Sequence, residues 1–146
     1  MVTIMARNKL LVVYNTCGFS GREHIDWYID CIQNILNQDF EDYRVVVSSC
    51  GNTLPVIKKL IQTFGNQVSY NFINDKITVN MSFNHSVQKC VEEFGEFEGY
   101  LYIDSGINFR DNRNVLKEAY ELFKSDNFGM VTIQASNDNG FPQWIG

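Results

Sequence analysis

In the stretch Lys9-Leu10-Leu11-Val12-Val13-Tyr14-Asn15-Thr16-Cys17-Gly18, an apolar run from Leu10 to Tyr14 stops at a polar break. A strand with one wet face alternates apolar and polar residues, whereas an unbroken run suits a strand covered on both faces. Similar β-rich runs recur at residues 43–49, 67–73, 100–103 and 128–134. Helical patterns lie between them. Ser20 or Gly21 can open a helix with Ile25, Tyr28, Ile29, Ile32, Ile35 and Leu36 on one face. Asn52 or Thr53 can cap a second, with Pro55 in its first turn and Gly65 just past its end. A third carries Phe83, Val87, Cys90, Val91 and Phe94 and stops at Gly95. Asp111 or Asn112 can cap a fourth that runs to Phe123, with Val115, Leu116, Ala119 and Leu122 inward. Strands alternating with helices imply crossover connections and a mainly parallel sheet, so the chain reads as an α/β sandwich of the doubly wound kind.

The 146 residues suffice for one domain, 1–146, with no internal repeat and no linker-like stretch. With 45% hydrophobic and 20% charged residues the chain can bury a core. Its net charge of −5 argues against coating nucleic acid, which needs a surplus of Lys and Arg, but permits a local phosphate pocket. No apolar run approaches the length of a membrane span, and the first residues lack the apolar stretch of an export signal. The four cysteines, Cys17, Cys31, Cys50 and Cys90, form no C-x-x-C pair, so zinc ribbons and thioredoxin-type sites are not indicated. Free thiols in a reducing cytoplasm are the expected state.

In doubly wound sheets, ligands bind beyond the carboxyl ends of the strands, where strand order reverses. Here those ends are Asn15-Thr16-Cys17-Gly18, Ser48-Ser49-Cys50-Gly51-Asn52, Asn74-Asp75 and Asp104-Ser105-Gly106-Ile107-Asn108. None contains the dinucleotide fingerprint G-x-G-x-x-G, the phosphate loop G-x-x-x-x-G-K-[ST] or the hydrolase elbow G-x-S-x-G. What remains is a set of amides and hydroxyls with one well-placed acid, Asp104. A carboxylate there can hold a divalent cation bridging a diphosphate, or accept hydrogen bonds from a ribose. The competing reading is a turn aspartate that bonds its own backbone before a glycine.

The order of elements and several local patterns resemble the first part of an A-type glycosyltransferase, the nucleotide-sugar-binding fold of the large family-two class. Tyr14-Asn15-Thr16 is similar to that class's first-strand loop, and Val47-Ser48-Ser49-Cys50-Gly51-Asn52 is loosely similar to its Val-Asp-Asp-Gly-Ser-like turn. Ser82-Phe83-Asn84-His85-Ser86 is similar to its Ala-Arg-Asn-x-Gly-like helix start, and Tyr100 to Gly106 to the strand entering its Asp-x-Asp motif. The resemblance covers roughly residues 9–135. It implies a Rossmann-like three-layer sandwich that binds a nucleoside-diphosphate sugar of the UDP or GDP type and passes the sugar to an unknown acceptor. The nucleotide-sugar residues it implies are Asn15, Thr16, Ser48, Ser49, Asn74, Asp75, Asn84, Asp104 and Ser105. Asp104 would hold Mn2+ or Mg2+. The chain departs from the pattern where Ser48 and Ser49 replace an acid, Phe83 replaces an arginine and Gly106 replaces the last acid of Asp-x-Asp. Metal would then rely on Asp104 with diphosphate oxygens and water, or Asn108 compensates, or the site works without metal.

Enzymes of that class add an acceptor-binding segment with a catalytic base, an Asp or Glu within hydrogen-bond reach of the attacking hydroxyl. Asp138, in Ser136-Asn137-Asp138-Asn139-Gly140, is the acid available after the fifth run, and also a natural turn residue. The ending Phe141-Pro142-Gln143-Trp144-Ile145-Gly146 is apolar enough to want a partner surface, as in a truncated domain or one completed by another copy of the chain. The departures keep open an inactive binding or assembly module of the same fold. A nucleotidyltransferase would need a basic glycine-rich loop that is not found here. His24 reads as solvated, His85 as an ordinary partly buried histidine, and Asp26 with Asp30 as a solvent-facing helical pair. Cys17 and Cys50 read as small apolar packing residues at strand ends.

Overall fold

Leu11, Val12 and Val13 are wholly inaccessible to solvent, because strand β1 (Leu10–Cys17) lies inside the sheet with helices on both faces. Each such side chain contributes about 1.5–3 kcal/mol on burial, so this run anchors the molecule. In the computed structural model, residues 9–17, 24–73, 77–125, 135–136 and 142–143 are described. Following β1 come α1 (Ile25–Leu36), β2 (Tyr43–Cys50), α2 (Leu54–Phe64), β3 (Ser69–Ile73), α3 (Val79–Phe94), β4 (Gly99–Asp104) and α4 (Val115–Ser125). The four strands form one parallel sheet in the order β3-β2-β1-β4. A separate antiparallel pair joins β5 (Ala135–Ser136) to β6 (Pro142–Gln143). The strand expected at 128–134 and the opening at Ser20 or Gly21 lie outside the described residues.

The sheet divides the core by strand parity. Leu10, Val12, Tyr14, Val45, Val47 and Ile103 pack with residues of α1, α2 and α4, including Ile32, Leu60 and Leu116. Leu11, Val13 and Val46 pack on the other face with Cys90, Phe97 and the α3 residues Phe83, Val87, Val91 and Phe94. The result is a Rossmann-like α/β fold of three layers. No described helix is long and apolar enough to cross a membrane.

Two element starts lie two or more residues from the sequence expectation, each for a local reason. β3 begins at Ser69 rather than 67, because Gly65, at φ +52°, ends α2 and residues Gly65–Gln67 form a 3-10 turn. α4 begins at Val115 rather than just after Asp111 or Asn112. Asn112 Oδ1 accepts from Asn114 N–H at 3.1 Å, closing a local turn, and the helix start is satisfied from elsewhere. Buried Gln38 accepts from Leu116 N–H at 3.1 Å and donates to the Asn112 carbonyl at 2.6 Å. The segment after α1 thus supplies the cap of α4.

Candidate functional site

Strands β1, β2 and β4 turn polar at the same level, and a polar residue of β3 stands in the same row. Asn71 of β3 is in register with Ser48 of β2, Ser48 with Asn15 of β1, and Asn15 with Asp104 of β4. This row lies at the carboxyl edge of the sheet. Chain order reverses between β1 and β4, since β2 and β3 extend one side of β1 and β4 returns on the other. It is therefore the switch point at which such sheets bind ligands.

On the α3 side the row is tied down by two buried serines. Ser48 Oγ and Ser82 Oγ lie 2.5 Å apart, and Ser82 Oγ reaches Asn15 Oδ1 at 3.5 Å. Ser86 Oγ donates to the Ser82 carbonyl at 2.9 Å, and Asn71 Nδ2 donates to Ser86 Oγ at 2.8 Å. Ser48, Ser82 and Ser86 are fully buried and Asn15 nearly so. Ser82 and Ser86, with Cys90, occupy i, i+4 positions on the inward face of α3, so the polar seam continues the apolar stripe. Thr78 caps this helix by accepting from Met81 N–H at 3.2 Å.

On the opposite face, Thr16 Oγ1 donates to the Ser48 carbonyl at 3.1 Å and accepts from Asn52 Nδ2 at 3.1 Å. Ser49 Oγ and Asn52 Oδ1 are buried without a hydrogen-bond partner among the described residues. An unpaired buried polar group costs about 1–3 kcal/mol, so this corner favours a water or ligand group that completes it.

Asp104 stands exposed where β4 ends. Its Oδ1 accepts from Ser105 N–H at 2.9 Å and lies 3.5 Å from Tyr102 Oη. Ile107 N–H donates to the Asp104 carbonyl at 3.0 Å, closing the turn. The Ser105 carbonyl accepts twice, from Tyr14 Oη at 3.1 Å and from Trp27 Nε1 at 2.7 Å. Burial pushes the Tyr14 phenol well above the usual tyrosine range, with Cys31, Tyr28 and Asp104 adding to the shift, so Tyr14 stays a donor. Burial likewise pushes the Cys31 thiol up to about 11.

The other sequence candidates are spread out. Asn84 and His85 occupy the exposed side of α3, away from the seam. Phe83 packs edge-on against Tyr102, with ring centroids 5.8 Å apart. Asn108 is committed elsewhere: it donates to Asp30 Oδ2 at 2.7 Å and accepts from Asn34 Nδ2 at 2.8 Å and Arg110 N–H at 2.9 Å. Cys17 and Cys50 are register partners at the ends of β1 and β2. Asn74, Asp75 and Asp138 lie outside the described residues. Sequence reasoning missed Ser82, Ser86, Asn71 and Trp27. A signal for the serines was present, since small polar residues stand at the inward positions of an otherwise apolar helical stripe.

Among the described residues no group of three or more His, Cys, Asp or Glu is placed to hold a metal ion. Asp104 offers one carboxylate, whereas a hard cation takes at least six oxygens. The residues therefore fit a cation that arrives with its own oxygen donors, such as those of a diphosphate, and not a cation held by protein alone.

No protein-family model matches the sequence, and no curated protein matches it. Among solved structures, the crystal structure of S. aureus TarS 1-349 is similar, with a TM-score of 0.60 at 17% sequence identity. The match covers 82% of this chain and 33% of the TarS chain, so this chain spans about a third of its structural neighbour. At that identity the likeness shows the fold alone, a Rossmann-like sandwich.

Proposed function

We propose that this chain is the donor-binding part of an A-type glycosyltransferase, taking a nucleoside-diphosphate sugar at the carboxyl edge of its sheet. The switch point at the carboxyl edge carries this reading, because exposed Asp104 ends β4 there and Ser49 Oγ and Asn52 Oδ1, at the end of β2, are left without a partner among the described residues. The fold shared with TarS, a glycosyltransferase, supports it. The nucleoside would lie toward Asn15, Thr16, Ser48 and Ser49; Asn74, Asp75 and Asn84 are the further candidates that the sequence offers for the nucleotide sugar. The diphosphate would lie at Asp104 and Ser105.

Transfer is a displacement at the anomeric carbon: the acceptor hydroxyl forms the new bond while the bond to the diphosphate oxygen breaks. A bound Mn2+ or Mg2+ would supply charge for the leaving nucleoside diphosphate. The chain's own task is to orient. The β1 and β2 ends would hold the nucleoside, and Asp104 would hold the cation at the diphosphate end. Asp138 is the candidate to accept the acceptor's proton.

Calorimetric titration of the full chain with UDP and with GDP, each with and without MnCl2, tests the reading. Saturable binding of one nucleotide, tightened by Mn2+ and losing that tightening in Asp104→Asn, is expected. Failure of every nucleoside diphosphate to bind under either condition overturns it.

A further inference from the structure

Trp27 is exposed on α1, 39% accessible, yet its indole is not loose. Nε1 donates at 2.7 Å to the carbonyl of Ser105, 78 residues away in sequence. Tyr14, buried between the sheet and α1, donates to the same oxygen at 3.1 Å. Ser105 N–H in turn donates to the carboxylate of Asp104 at 2.9 Å. The backbone of one residue is thus held at its carbonyl by two aromatic donors, while its N–H orients the acid of the row.

We propose that Trp27, acting with Tyr14, is a positioning residue that sets the direction of the Asp104 carboxylate through Ser105. The proposal rests on the donor-binding reading. Ile107 N–H donates to the Asp104 carbonyl at 3.0 Å and so holds the Asp104–Ser105 peptide, which carries the Ser105 N–H, but it leaves rotation about the Ser105 Cα–C bond, and with it the seat of Ser105, to other contacts. Gly106 does not resist that rotation, since a side chain added there would meet nothing within 4 Å. Nor does the loop beyond supply the restraint, because Asn108 is anchored to α1 through Asp30 and Asn34 rather than to the turn. The two aromatic donors are what restrict it. Their effect falls on the cation, because a single carboxylate must present an oxygen at a fixed distance when the remaining ligands come from the diphosphate.

The test uses the full chain with two variants at Trp27 and one at Tyr14. Trp27→Phe keeps the ring and removes the donor, Trp27→His keeps a ring N–H, and Tyr14→Phe removes only the hydroxyl. For each, the Kd for the nucleotide that binds wild type is measured without metal and with MnCl2. The readout is the factor by which Mn2+ tightens binding. Trp27→Phe and Tyr14→Phe are each expected to reduce that factor about fivefold with the metal-free Kd unchanged. Their double variant should fall short of the product of the two, because they share one acceptor. Trp27→His should recover part of the loss. A merely structural role would move the metal-free Kd and the Mn2+ factor together, and that result overturns the proposal, as does full Mn2+ tightening in both single variants. Either result leaves donor binding by wild type standing. Absence of any nucleotide binding by wild type overturns the donor-binding reading and the proposal with it.

Discussion

Gly99 and Gly106 flank the same strand and are glycines under different constraints. A Cβ on Gly99 would come within 2.8 Å of Leu10 Cδ2, so a side chain there requires the end of Leu10 to shift. Gly106 faces open space and does not have a positive φ, so nothing in the backbone or the packing requires it. The site's lack of a second acid is therefore a matter of chemistry and not of space. Gly106→Asp is expected to fold as well as the parent and to place a second carboxylate two residues after Asp104. If Asp104 holds a cation as proposed, the added charge should tighten Mn2+ binding in the presence of the nucleotide by roughly tenfold, or about 1.4 kcal/mol. Gly106→Asn, neutral and of the same shape, is the control. Metal titration read by calorimetry decides, and equal affinity in the two variants would remove the cation from this turn.

The elements differ in how far their own residues foretell them. β1 was legible because five successive apolar residues need cover on both faces, and β4 because its run ends directly in Asp104. α3 was legible from Val79 to Phe94, since Phe83, Val87, Val91 and Phe94 keep helical spacing and Gly95 closes it at φ +88°. The inward placement of its serines was readable but their role was not, because a serine's role depends on what faces it, and Ser82 meets Ser48 only after α3 docks on the sheet. Trp27 was missed for the same reason: its partner is a backbone carbonyl in another element. The start of α4 shows the limit most clearly. Local signals placed the cap at Asp111 or Asn112, but the group that satisfies the helix start is Gln38. Gln38→Met keeps the volume while orphaning the Leu116 N–H and the Asn112 carbonyl. At about 1–3 kcal/mol for an unpaired buried group, here the Leu116 N–H, since Asn112 lies exposed to water, a loss of roughly 1–3 kcal/mol in urea unfolding is expected. A loss below about 0.5 kcal/mol, the range of neutral surface changes, would show that the cap contributes nothing.

At the scale of the whole molecule, one sheet separates two cores, and each core encloses a protonated thiol. Cys31 lies among the α1-side residues and Cys90 among the α3-side residues, both free and nearly inaccessible. Burial raises each thiol from 9.0 to about 11, with Asp30 adding at Cys31 and Glu93 at Cys90. Tyr14 moves in the same direction by burial, and Tyr120 rises to about 12, chiefly because its hydroxyl donates to Glu98 at 2.6 Å. Glu98 moves the other way, lowered first by that bond, but it is an exposed group and adds little on the acid side. A group whose folded pKa is raised binds more protons folded than unfolded above its unfolded value. Stability is then complete below that value and lost as pH climbs toward the folded one. For the two thiols the window runs from 9.0 to about 11. Two units correspond to about 2–3 kcal/mol for each thiol. The urea midpoint should therefore hold level from neutral pH to about 9 and fall steeply above it. Replacing both residues, as Cys31→Ala with Cys90→Ala, lowers stability at neutral pH through lost packing but should flatten the alkaline fall. The slope that remains belongs to the tyrosines. A midpoint that stays level to pH 11, or a slope unchanged in the double variant, would mean that the two cores admit water readily enough to solvate a thiolate. In that case the thiols would also react with an alkylating reagent in the native protein, which mass mapping at pH 8 detects directly.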